Sequence, residues 1–126
     1  MKVGILSLLG VAIFLAFSIA IQVYISKSTA HLDQKFQTIE SELNSQKWTQ
    51  ANRSLKTAKK NWNHIKPVWS LFLHHQEIDA IDEALVRTDK AVQTKNESAS
   101  RIEMGTLRQY LKHIPERERF NLVNIL

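Results

Sequence analysis

The sequence predicts an all-α protein, with an N-terminal transmembrane helix followed by an antiparallel bundle of three to four helices. Three observations lead there. From Val3 to Ser26 there is no charged side chain. Glycine occurs only at 4, 10 and 105 and proline only at 67 and 115, so nothing between Val11 and Lys66 forces the backbone out of a helix. Beyond the apolar run, large apolar side chains recur every three or four positions, which is the period of a helix rather than a strand.

The uncharged run comes first. At about 1.5 Å per residue its roughly 24 positions make a helix of about 36 Å, against a hydrocarbon layer of about 30 Å. Residues 1–27 read as a membrane anchor and 28–126 as a helical domain outside the bilayer. A cleaved signal peptide competes, because Ser18, Ile19 and Ala20 form a small-x-small triplet. Apolar character continues past it through Ile21, Val23, Tyr24 and Ile25, where a mature polar chain would have begun, and this favours an uncleaved anchor. Lys2 on one side and Lys27 and Lys35 on the other leave the charge rule nearly balanced. The very short N-terminal tail is that of a signal anchor, which places the C-terminal domain on the extracytoplasmic side of the cell membrane. Zero cysteines fit that side and exclude a lipidated N-terminal cysteine.

Four helical stretches follow, at about 29–45, 47–66, 68–94 and 98–114. In the first, Leu32, Phe36, Ile39 and Leu43 form a stripe that can extend the anchor outward as a stalk, ending at Asn44 and Ser45. In the second, Trp48, Ala51, Leu55, Ala58, Trp62 and Ile65 share one side, and Pro67 is expected to stop the helix and reverse the chain. The third has Leu71, His74, Ile78, Ile81, Leu85, Thr88 and Val92 on one face, with His74 expected to be a buried or half-buried, hydrogen-bonded imidazole. Lys95, Asn96 and Glu97 make the next turn. Ser100 and Glu103 then have capping-box spacing for a fourth helix with Ile102, Leu107, Tyr110, Leu111 and Ile114 on its apolar side. Pro115 is expected to close it, leaving 116–126 to fold back over the bundle.

Charge separates the two middle helices. Positions 47–66 hold Lys47, Arg53, Lys56, Lys59, Lys60 and Lys66 and no acid, whereas the third helix carries Glu77, Asp79, Asp82, Glu83 and Asp89 against Arg87 and Lys90. A reversal at Pro67 sets Lys56 and Arg53 near Asp79 and Asp82, so that opposite charges flank an apolar seam. Each exposed pair is worth about 0–1 kcal/mol, and burying a large apolar side chain about 1.5–3 kcal/mol, so the seam supplies stability while the charges select the partner and its direction.

His75, Asp79 and Asp82 stand at i, i+4 and i+7 and are the weak candidates for a metal site. No Glu has a His three residues later and there is no H-E-x-x-H, so neither a di-metal bundle nor a zinc-protease pattern is present. His64 and His113 have no neighbour at ligand spacing. There is no G-x-S-x-G, no S-x-x-K and no glycine-rich phosphate loop, and without cysteine there is no thiol chemistry. The chain is therefore not expected to be an enzyme or to hold a cofactor. Seventeen Lys and Arg, one of them Lys2, face twelve Asp and Glu; this surplus suits an anionic surface and is too small to argue for nucleic acid.

An N-terminal anchor, Trp48 with Ala51, Trp62, Trp69, then His75-x-Glu77-Ile78-Asp79-x-x-Asp82, and finally His113-Ile114-Pro115 followed by Leu122-x-Asn124-Ile125, occur in that order. In these landmarks, over nearly the whole chain, the sequence resembles the domain of unknown function 4363 family, small membrane-anchored proteins of spore-forming Gram-positive bacteria. The resemblance implies no activity and no catalytic residues. It implies a membrane-protein partner, of the small multi-spanning domain of unknown function 421 family.

The expected function is a non-enzymatic accessory or scaffold protein, anchored by a single pass and bound to another membrane protein. Its expected contact residues are Trp69, His75, Glu77, Asp79 and Asp82. The alternative is a module that binds anionic envelope polymers or lipid head groups through Arg53, Lys56, Lys59 and Lys60. A metal-dependent enzyme at His75, Asp79 and Asp82 is the third reading.

Overall fold

One helix, α1 (Lys2–Asn44), carries the chain from the apolar run into the bundle without a break. It is followed by α2 (Trp48–Phe72), α3 (His75–Gln93) and α4 (Glu97–Ile125). The structure, a computed structural model, describes the backbone of residues 1–125 and the side chains of residues 1–116. No strand occurs among the described residues. α1 packs on α2 and α4, and α3 on α2 and α4, with no approach between the diagonal pairs among the described residues. The protein is therefore an up-down-up-down four-helix bundle whose first helix projects beyond it.

The core follows the apolar stripes. Leu32, Phe36, Ile39 and Leu43 of α1, Ala51, Leu55, Ala58 and Trp62 of α2, and Ile78, Ile81, Leu85 and Val92 of α3 are all buried. On α4 the buried face is Ser100, Met104, Leu107, Leu111 and Ile114, at spacings of four, three, four and three, and Ile102, expected to be inside, is exposed. Ser100 therefore points into the core instead of forming a capping box. Asn96 caps α4, its Oδ1 accepting from the Ala99 amide at 3.0 Å.

Both short turns close by the same device. At the end of α1 the amide of Gln46 donates to the carbonyl of Leu43 and that of Lys47 to Glu42; at the end of α3 the amide of Lys95 donates to Val92 and that of Asn96 to Ala91. These are Schellman motifs, which place one residue in the left-handed region. Those residues are Gln46 (φ 55°) and Lys95 (φ 54°), neither of them glycine. A Cβ in this region costs roughly 1–2 kcal/mol. Gln46→Gly and Lys95→Gly should therefore each raise stability by about 1 kcal/mol, read as a higher midpoint in thermal melts, in contrast to the loss that glycine causes inside a helix.

The prolines do not act as the sequence suggests. α2 runs through Pro67 to Phe72, and α4 runs through Pro115 to Ile125. A proline inside a helix costs about 3 kcal/mol. At Pro67 that cost is offset by what lies beyond it: Trp69 and Leu73 are buried, and the Trp69 ring meets Trp62 edge-on, centroids 5.3 Å apart at 85°. The reversal comes instead at Leu73 and His74, both extended. His74 is consequently exposed rather than buried, and so is Leu71. The tail from 116 continues as helix to Ile125 rather than folding back; its side chains from residue 117 lie outside those described.

A cleft at the corner end of the bundle

The bundle has two ends. At one, the α1–α2 and α3–α4 turns lie side by side, with Gln46 Nε2 3.4 Å from Glu97 Oε2. At the other, the α2–α3 corner meets the apolar part of α1, and the Phe17 and Phe72 rings approach to 6.5 Å. Near this corner, between the start of α3 and the middle of α4, is a cleft of about 360 Å³ lined by His74, Glu77, Ala80, Tyr110, His113 and Ile114 with two glutamines.

The way α3 begins places the polar side chains there. His74, in extended conformation, accepts the amide of Glu77 at 3.0 Å through its own carbonyl, so the first turn of α3 faces α4. Glu77 is in that first turn, where a carboxylate complements the helix dipole. On α4, His113 Nδ1 lies 3.5 Å from Glu116 Oε2, at the surface. His74, Tyr110 and His113 make no hydrogen bonds to one another. The cleft is large enough for a small ligand but brings together no nucleophile with a base.

The expected contact residues separate. Trp69 is fully buried in the core and is not available at the surface. His75 and Asp79 are exposed on α3, Glu77 lines the cleft, and Asp82 sits on the α2–α3 seam. There Asp82 accepts from Trp62 Nε1 at 2.7 Å and from Lys66 Nζ. His75, Asp79 and Asp82 thus form no centre, and among the described residues no group of three His, Asp or Glu side chains can hold a metal ion.

Opposite charges do flank the α2–α3 seam, but with other partners than the sequence suggested. Lys59 pairs with Asp89 at 3.0 Å and Lys66 with Asp82, while Arg53, Lys56 and Lys60 are exposed and form no ion pair among the described residues. The physical reason is the corner. Moving the reversal from Pro67 to Leu73 slides α3 along α2 by several residues and brings later lysines opposite the acids. Lys59→Glu, which sets a carboxylate beside Asp89, should cost on the order of 1 kcal/mol, whereas Arg53→Glu and Lys56→Glu should stay within about 0.5 kcal/mol. Urea midpoints of the three variants check this order, which is the reverse of what pairing of Arg53 and Lys56 with Asp79 and Asp82 requires.

Sequence reasoning missed the α1–α4 cluster. Arg108 Nε and Nη2 reach the two oxygens of Asp33 at 2.8 and 3.2 Å, and its Nη1 reaches Glu40 Oε2 at 2.8 Å. The hydrogen bonds from Asp33 and then Glu40 hold the Arg108 guanidinium above its usual, already high, pKa. The readable signal was that Asp33 and Glu40, seven apart, flank the Leu32–Phe36–Ile39 stripe while Arg108 flanks Leu107. A second arginine, Arg87, links α3 to α4 through Glu103 at 2.9 Å.

A family model described as "Domain of unknown function (DUF4363)" matches residues 19–125. The chain belongs to this family. The match begins close to Ile21, where α1 first packs against the core cluster, so the family unit is the bundle together with the bundle-facing part of α1. Neither a curated protein nor a solved structure matches the chain.

Proposed function

We propose that this domain of unknown function 4363 protein is a non-enzymatic, single-pass membrane-anchored accessory protein that acts by binding another membrane protein. The observation that carries the reading is the two-part character of α1. By length and composition it is a helix able to cross a membrane. Its residues up to Phe14 are exposed and overwhelmingly apolar, while from Ile25 to Leu43 the same helix forms one wall of the core. An apolar surface of that size needs a covering, and lipid is the covering its length fits. Because the helix is unbroken, the bundle is held at a fixed height and direction above the bilayer, the geometry of a scaffold.

The bundle lies on the extracytoplasmic side in this reading, and the partner is a multi-spanning protein of the domain of unknown function 421 family, whose helices can pack on the exposed face of α1. Extraction of the tagged full-length chain in mild detergent tests it. A multi-spanning partner should co-purify in stoichiometric amount and be lost when residues 1–24 are removed; a chain that purifies alone would overturn the proposal. Activity of an alkaline phosphatase fused after Leu126 reports the side.

A second reading has one observation in its favour, Arg53, Lys56 and Lys60 on α2, exposed and without an ion pair among the described residues. Ser54 bonds Glu42, which is about 24 Å along α1 from Ser26, far beyond a Debye length of about 8 Å from the head groups of the same membrane. Arg53, beside Ser54, is therefore open to envelope polymers and out of reach of those lipids, whereas Lys60, about 18 Å up α2 from Phe72, lies close to the head groups. Salt-dependent sedimentation with anionic polymer, abolished when all three are changed to Gln, would support it.

A further inference from the structure

Resting on the reading that α1 crosses a membrane, we infer that the α2–α3 corner, through Val68, Leu71 and Phe72, is embedded in the leaflet from which α1 emerges. Three observations converge on it. The first is length. α1 is exposed throughout up to Phe14, and Leu15 is the first residue that is partly buried. From Lys2 to Phe14 the helix rises about 20 Å, roughly 10 Å short of the hydrocarbon layer. The missing span has to come from residues that the bundle already flanks.

The second is level. A crossing of about 20 residues placed anywhere within the uncharged run 3–26 includes Phe17. Phe72 lies against that ring, so the end of α2 is at a depth where α1 is in lipid. The third is composition. Past residue 26 the exposed large hydrophobic side chains among the described residues are Val68, Leu71, Phe72, Val86, Ile102 and Tyr110, and the first three share this corner, Leu71 at 76% exposure. No charge occurs from Pro67 to Leu73.

Charge also sets the depth. Lys66 lies about 9 Å up α2 from Phe72, and Asp79 is exposed one turn into α3. The corner reaches the boundary of head groups and acyl chains, the 5–10 Å penetration of an interfacial helix, and the acids stay in the head-group layer. The protein therefore touches its membrane at two places, which fixes the tilt of the bundle and leaves the cleft beside His74 opening near the head groups.

With no native cysteine, single-site labelling is clean. The full-length chain carrying Phe14→Cys, Leu71→Cys or Val86→Cys is labelled with an environment-sensitive fluorophore and reconstituted in phosphatidylglycerol–phosphatidylethanolamine vesicles containing lipid nitroxides both at a shallow acyl position, for the corner, and near the acyl chain end, for residue 14 at mid-bilayer. Labels at 14 and 71 should be blue-shifted and lose most of their emission to the nitroxides. The label at 86, about 16 Å further up α3, should stay water-like and unquenched. Quenching at 14 without quenching at 71 would overturn the corner's insertion while leaving the anchor intact. A blue-shifted but unquenched label at 71 would mean that protein covers the corner, and would overturn it too. No quenching at 14 would remove the anchor reading and this inference together.

Discussion

Trp62→Ala is expected to destabilise the bundle by about 3–5 kcal/mol, the range for deleting a buried tryptophan side chain. Trp62 is 1% exposed and packs edge-on against Trp69, with centroids 5.3 Å apart. Its Nε1 donates to Asp82 at 2.7 Å, and Asp82 in turn holds Lys66. Truncation opens a cavity, removes the partner that justifies continuing α2 past Pro67, and leaves one oxygen of Asp82 without its donor. Domains of this size have about 5–15 kcal/mol in total, so the variant keeps only a part of it. At about 4–8 °C per kcal/mol, the thermal midpoint by circular dichroism should fall by roughly 12 °C or more. Trp62→Phe separates the contributions, keeping most of the ring packing and losing the hydrogen bond, and should fall about 1–3 kcal/mol. An alanine variant that melted within a few degrees of the wild type would show that the two tryptophans are not the centre of the core.

The same pair shows where the sequence was legible and where it was not. Helical period is a local property, so Leu32, Phe36, Ile39 and Leu43, or Ala51, Leu55, Ala58 and Trp62, could be read directly as core faces. Pro67 is a local signal too, and it misled, because its cost was weighed without the burial of Trp69 and Leu73 that it permits. The pattern did hold the correction: Ile65, Trp69 and Leu73 continue the face of Trp62 at three, four and four across the proline. Taking Leu71 and His74 as the start of the next stripe displaced the corner, and with it every charge pairing across the seam. Complementary charge on α2 and α3 was legible as a sign pattern. Which lysine meets which acid was not, because that depends on the turn.

The cleft was not legible at all. It is formed by His74 and Glu77 from one end of the chain's third helix and by Tyr110 and His113 from the fourth, and their proximity depends on the register fixed by the Lys95 turn. The two left-handed residues were equally hidden, since nothing in the composition of Gln46 or Lys95 marks them where a glycine would have. What the sequence showed best, the apolar run, is the feature on which the largest change in behaviour turns.

Replacing Leu9 and Ile13 together with arginine should release the protein from membranes, whereas either replacement alone should not. Leu, Ile, Val and Phe each favour insertion by about 0.3–0.6 kcal/mol, and an arginine near the helix centre opposes it by about 2.5–3.5 kcal/mol. Twelve such apolar residues lie between Val3 and Ile21. The run as it stands gains roughly 4–7 kcal/mol, so one arginine is absorbed and two bring the balance to zero or beyond. Leu9 and Ile13 are exposed and touch nothing in the bundle, so the released chain should keep its helical circular dichroism and its melting midpoint. Alkaline carbonate extraction reads the outcome: wild type and both single variants in the pellet, the double variant in the supernatant. A double variant that stayed in the pellet would mean that α1 is held by something other than lipid. One that was released and unfolded would mean that the exposed half of α1 carries part of the bundle's stability, contrary to its lack of contacts there.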